Sequence, residues 1–163
     1  NPQRPFCLIV GGGKLEDIVP VIKALIPTLD MLLLCPGIDR EFIAKESLTS
    51  ICQKERIAIH IPDDYLVGTS LQQGPFEIKQ RNEIKAADVT VCIGPETQKK
   101  YATILGNART VFYNGLMGTL ENLHTLTGVH AVFSAMQQCD FALVGGGDST
   151  AAARKLGFER TLH

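Results

Sequence analysis

The chain has 163 residues, 45% of them hydrophobic, and sets 16 Lys and Arg against 17 Asp and Glu for a formal charge of −1. That length suits one sizeable core, a single domain over residues 1–163, and a balanced charge without a basic run gives nucleic acid or an acidic membrane no electrostatic hold. Cys7, Cys35, Cys52, Cys92 and Cys139 lie far apart without zinc-ligand spacing, no apolar run approaches the ~18–20 residues of a membrane span, and no signal-peptide pattern opens the chain, which reads as a cytoplasmic protein with reduced thiols.

Taken in chain order, apolar and partly β-branched runs predict strands at residues 6–10, 31–35, 57–61, 89–93, 110–113 and 141–144. Helical patterns fill residues 16–25, 76–87, 96–105, 120–136 and 150–156, and the third of these opens on Gly94-Pro95 with proline at the first helical position. Residues 62–75 are rich in turn formers and read as a surface loop. Strands alternating with helices predict an α/β fold, a Rossmann-like three-layer α/β/α sandwich on a mostly parallel sheet of about six strands. Ligands of such folds bind at the carboxyl ends of the strands, and the glycine clusters fall there.

Residues 141–153 read as a buried strand that stops at Gly145, Gly146 and Gly147 and restarts as a helix. Glycines allow close backbone approach, and the free N–H groups and positive dipole end of a helix start favour an anion. Asp148 at that end repels a bare phosphate but suits one carried as a magnesium complex. The competing reading is a tight turn capped by Asp148 or Ser149. Gly11-Gly12-Gly13-Lys14 has neither P-loop nor dinucleotide-fingerprint spacing, so Lys14 is either a phosphate ligand or a solvated loop lysine. Asn114 can bond a phosphate or a base and Glu121 can accept from a ribose hydroxyl, although Asn-Gly also marks ordinary turns. The four histidines have no metal or acid–base spacing.

Four motifs then occur in a fixed order: Arg4-Pro5-Phe6 with Val10-Gly11-Gly12-Gly13-Lys14; Gly94-Pro95-Glu96-Thr97; the run from Val111 through Tyr113-Asn114-Gly115 to Glu121; and Val144 through Gly145-Gly146-Gly147-Asp148 to Ser149. Together they resemble the C-terminal, nucleotide-binding domain of phosphoglycerate kinase over nearly the whole chain. The resemblance implies a glycolytic kinase that moves a phosphoryl group between 1,3-bisphosphoglycerate and ADP, with Mg2+ and ADP or ATP bound. Matched position by position, it places Lys14 and Asn114 on the nucleotide phosphates and Gly11 and Gly12 along the nucleotide. It also places Glu121 on the ribose, Asp148 on magnesium, and Ser149, in place of a threonine, on phosphate. Lys14 and the backbone N–H groups of Gly146 and Gly147, with Gly145 before them, would face the transferred group, chemistry that needs positioning and charge neutralisation.

The departures from that pattern are specific. A second family lysine, four residues beyond Lys14, is replaced by Ile18. The triple-glycine turn after the second strand reads Cys35-Pro36-Gly37, a Trp-Asn-Gly-Pro reads Tyr113-Asn114-Gly115-Leu116, and a Gly-Leu-Asp before Gly-Pro falls at about Thr90 to Ile93. The lobe that binds 3-phosphoglycerate in the family has no counterpart here, and the chain stops before the family's next glycine-rich loop. The expectation is a lobe that binds Mg-nucleotide but does not turn over alone. The alternative is a catalytically weakened relative that binds nucleotide or a protein partner. A nicotinamide-binding domain fits less well, because the first glycine loop lacks the spacing.

Overall fold

The computed structural model describes residues 1–163. In chain order its strands are β1 (Phe6–Val10), β2 (Met31–Leu34), β3 (Ala58–His60), β4 (Asp64–Gly68), β5 (Glu77–Gln80), β6 (Val89–Ile93), β7 (Thr110–Asn114) and β8 (Phe141–Gly145). Its helices are α1 (Leu15–Leu25), α2 (Asp39–Ala44), α3 (Glu46–Lys54), α4 (Pro95–Leu105), α5 (Thr127–Met136) and α6 (Gly147–Lys155). Five strands form a parallel sheet in the order β3-β2-β1-β7-β8, and β5-β4-β6 form a second, antiparallel sheet.

Period-two alternation along fully buried β1 explains the layering. Phe6, Leu8 and Val10 face a 14-residue apolar cluster that includes Leu15, Ile18 and Ile22 of α1, while Cys7 and Ile9 face a 24-residue cluster that includes Val129, Val132 and Phe133 of α5. This is the expected three-layer α/β architecture. No helix is long and apolar enough to cross a membrane, and all five cysteines are free, with burial raising each thiol's pKa.

Several elements differ from the sequence expectation. The parallel sheet has five strands because residues 89–93 pair with β4 in the other sheet. Residues 64–68, read as loop, are that buried partner strand: Tyr65, Leu66 and Val67 are all in the core, a short apolar run masked by flanking turn residues. Residues 76–87, read as helix, contain β5 and a 3-10 turn at Arg81–Glu83, since pairing to β4 across Leu66 and Ile78 outweighs local propensity. In 120–136 the α-helix starts only at Thr127, after a 3-10 turn at Leu123–Leu126, whereas α6 starts at Gly147, three residues ahead of the predicted Thr150. Helices α2 and α3 were not anticipated.

From β1 the sheet extends through β2 to β3 on one side and through β7 to β8 on the other, so the strand order reverses between β1 and β7. Register aligns Val10 with Asn114 and Asn114 with Gly145. The loops after β1, β7 and β8 therefore converge at the carboxyl edge, where α/β sheets bind ligands.

Candidate functional site

Two cavities occupy that edge. The smaller, of about 260 Å³, is lined by Gly11 to Lys14, by Asp17, Ile18 and Val21 of α1, by Asn114 to Leu116, and by Gly147 to Ser149. The larger, of about 410 Å³, holds Glu121, with Pro36, Gln72, Thr90 and Thr119 among its walls. Gly12, Gly13, Leu116 and Asp148 line both, so the cavities meet along a shared rib.

Gly11, Gly12 and Gly115 serve backbone packing. Gly11 N–H donates to the Asn114 carbonyl at 3.1 Å and Gly12 N–H to the Pro36 carbonyl at 3.3 Å, which leaves neither amide for a ligand. Gly12 and Gly115 have φ of +59° and +92°, and a Cβ on either would overlap the backbone of Leu116 or Gly11 respectively. The β1 and β7 loops thus touch backbone to backbone. Gly145 is fixed similarly, since a Cβ there would lie 2.6 Å from the Phe112 ring.

Free donors lie at the two helix starts. Gly146, with φ +94°, turns the chain into α6 as its N-cap, and the amides of Gly147, Asp148 and Ser149 bond no acceptor in the chain. Thr150 N–H returns to the Gly146 carbonyl at 3.0 Å. Gly147 is exposed and has nothing within 4 Å of where a Cβ would be, which leaves open space beside its unpaired amide. Lys14, the N-cap of α1 without a side-chain cap bond, is exposed and lines the same cavity. Two positive dipole ends and one lysine face one space.

The start of α4, by contrast, is closed by a side chain from another strand. Asp64 is buried and accepts from Glu96 N–H at 3.0 Å and from Thr97 N–H at 2.8 Å, which closes the start of α4 internally. No side chain does this for α1 or α6.

Ser149 adds an independent observation. Its side chain is 1% exposed and lines the smaller cavity, and its Oγ has no hydrogen-bond partner. The only other buried side-chain oxygen in that condition is Tyr113 Oη, which does not line this cavity. A buried hydroxyl left unpaired costs about 1–3 kcal/mol, so a ligand that bonds it recovers that penalty.

Asp148 is exposed in the first turn of α6, and Asp17 lines the same cavity from the first turn of α1. No three His, Cys, Asp or Glu side chains converge anywhere in the chain. The donor set fits a magnesium ion held by one or two carboxylates and completed by substrate phosphates, the usual way that ion is bound. Glu121, in the larger cavity, accepts from the Thr119 hydroxyl, which holds its carboxyl below the usual range.

Of the residues singled out from sequence, the structure gathers Lys14, Gly11, Gly12, Asn114, Gly147, Asp148 and Ser149 around one cavity and puts Glu121 in its neighbour. Gly145 and Gly146 lie behind the wall and shape it. Sequence reasoning missed Asp17 and Gln72, while Thr90, singled out as a departure from the family pattern, does line the larger cavity. Asp17, on the exposed first turn three residues after Lys14, carried a readable signal; Gln72 did not, because its place depends on the second sheet.

Comparisons with known proteins identify the family and the fold. A family model described as phosphoglycerate kinase matches residues 1–163. A phosphoglycerate kinase of Rhodococcus opacus is 34% identical over 177 residues, covering 96% of this chain and 44% of the relative, and one from Salinispora tropica is 33% identical, covering 98% and 44%. The solved phosphoglycerate kinase of Coxiella burnetii superimposes with a TM-score of 0.87 at 24% identity, over 99% of this chain and 47% of that one. For the enzyme of Pyrococcus horikoshii the TM-score is 0.71, also at 24% identity. At that identity these two establish the fold. The chain spans less than half the length of the relatives it matches. With a family match along its entire length, the chain belongs to the phosphoglycerate kinase family.

Proposed function

We propose that this chain is the nucleotide-binding domain of a phosphoglycerate kinase, that it binds ADP or ATP with Mg2+, and that the parent protein transfers a phosphoryl group between 1,3-bisphosphoglycerate and ADP in the cytoplasm. The observation that carries this reading is the set of free amides at the start of α6, with the unpaired, buried Ser149 Oγ on the same turn, in residues that line one cavity with Lys14.

In this reading the amides of Gly147, Asp148 and Ser149, the Ser149 hydroxyl, Asn114 and Lys14 hold the phosphates. Glu121 takes the ribose hydroxyls in the adjoining cavity, and Asp148 holds the metal. The bound magnesium supplies charge neutralisation at the phosphoryl oxygens. Lys14 and the Gly146–Gly147 turn orient the terminal phosphate and stabilise charge that develops on it. 3-Phosphoglycerate would be brought by a second lobe, so the chain alone binds nucleotide without turnover.

Calorimetric titration with Mg-ADP tests the site. The wild-type chain binds, and Lys14→Ala and Asp148→Ala each weaken binding by roughly tenfold, the equivalent of ~1.4 kcal/mol. Undiminished affinity in both variants defeats the assignment. Formation of ATP from 1,3-bisphosphoglycerate by the purified chain would overturn the statement that it needs a second lobe.

A second reading, a weakened relative that binds without transferring, is favoured by one observation: Ile18 puts an aliphatic wall in the cavity at the position where the resemblance implies a lysine. A two-lobed parent fully active with Ile18 in place removes it.

A further inference from the structure

A third cavity, of about 250 Å³, opens between α2 and β4 and shares no lining residue with the two above. Its α2 wall is built from Arg40, Ile43 and Ala44, whose spacing puts them on one face of the helix, and Ile43 is 43% exposed there. Opposite stand Ile61, Tyr65 and Arg81. Tyr65 is 1% exposed and its hydroxyl donates inward to Asp39 Oδ2 at 2.5 Å, so the floor presents an aromatic ring and no free hydroxyl.

The charge at the rim is positive. Arg40 makes no ion pair within the chain. Arg81 donates to the Pro62 carbonyl at 2.9 Å and stands 3.6 Å from Asp63, a carboxylate that Lys100 already holds at 3.0 Å. Asp39, the acid in the cavity wall, is 4% exposed and its Oδ2 already accepts from the Tyr65 hydroxyl, so the carboxylate is turned inward from the rim. Apolar walls between two arginines complement a molecule with an aliphatic body and one anionic head. The volume, below the ~300–1,000 Å³ of drug-sized sites, restricts that molecule to a small one.

We propose that the groove between α2 and β4 binds a small free aliphatic carboxylate, its head held by Arg40 and Arg81 and its chain laid against Ile43, Ala44, Ile61 and the Tyr65 ring.

Amide-resolved NMR titration of the folded chain with hexanoate, hexanamide and hexylammonium tests this. Hexanoate should give saturable shifts centred on residues 39–44 and 61–65, with affinity about tenfold above hexanamide for the charge-assisted contact. Arg40→Gln and Arg81→Gln should each weaken hexanoate several-fold. Arg40 makes no ion pair, so its replacement leaves the fold intact. Ile43→Asn should weaken hexanoate and hexanamide alike, and saturating Mg-ADP should leave hexanoate affinity unchanged, which separates this site from the nucleotide cavity. Equal binding of hexanamide or hexylammonium, shifts confined to Lys14 and Asp148, displacement by Mg-ADP, or full affinity in both arginine variants would each overturn the proposal.

Discussion

Lys14, the extended N-cap of α1, and Ile18, in the first turn beyond it, line one cavity, yet Lys14 is exposed while Ile18 is 8% exposed and packed with Leu15 and Ile22. A single helical turn therefore gives the cavity one cation and one aliphatic surface. Ile18→Lys removes apolar burial, and its ammonium can extend along α1 into the cavity. We expect stability to fall by about 1–3 kcal/mol and Mg-ADP affinity to rise several-fold. Chemical denaturation and calorimetry on the same variant check both, and a folded variant with unchanged affinity would separate this wall from the phosphates.

Gly115 and Gly147 belong to the same site but should respond oppositely to a methyl group. Gly115→Ala forces a positive φ and a collision with the Gly11 backbone, for an expected loss of about 2–4 kcal/mol. Gly147→Ala enters open space in the first turn of α6 and should change folding stability by less than ~1 kcal/mol. Its effect should instead appear in Mg-ADP affinity, because the methyl group occupies space beside the free amides. Thermal melts of the two variants, with titration of the second, distinguish packing glycines from ligand-facing ones.

Ser149→Ala deletes a hydroxyl that has no partner. Folding stability should hold or rise by up to ~1 kcal/mol, since no hydrogen bond is lost and a buried polar group is removed. Mg-ADP affinity should fall several-fold. A matched loss of stability would show that the hydroxyl serves the fold instead.

Asp39 gives a pH dependence with a defined sign. Burial raises its folded pKa above the ordinary ~3.9 of the unfolded chain, only partly opposed by the Tyr65 hydrogen bond. In that window the folded state binds more protons than the unfolded one, so this group's contribution to stability declines as pH rises from about 4 through the folded pKa. Asp39→Asn should raise the melting temperature at neutral pH and flatten this part of the profile. A variant less stable at pH 7 than wild type would mean that the ionised carboxylate is favoured in the fold.

Much of the site was legible because it is local. The alternation of β1, the apolar run of β8 and the glycine-to-helix turn at Gly146 are each encoded within a few residues, and order along the chain identified the family. What could not be read was β4 and β5. Neither carries a local pattern strong enough to signal a strand, and both are strands only because Leu66 lies between Ile78 and Cys92 in a sheet assembled from distant segments.

By itself, then, the sequence determined the donors, Lys14, Asp148 and Ser149, and the backbone turns that free the amides beside them, since helix starts and left-handed glycines follow from neighbouring residues. Tertiary structure decided which of those groups meet. The register of Val10, Asn114 and Gly145 across three strands joins loops as much as 135 residues apart, and the bonds from the Gly11 and Gly12 amides to the Asn114 and Pro36 carbonyls commit two nucleotide-facing candidates to backbone packing. The reason is physical: a hydrogen bond or a steric overlap between distant segments exists only once the sheet has fixed their separation, and no window of sequence contains it.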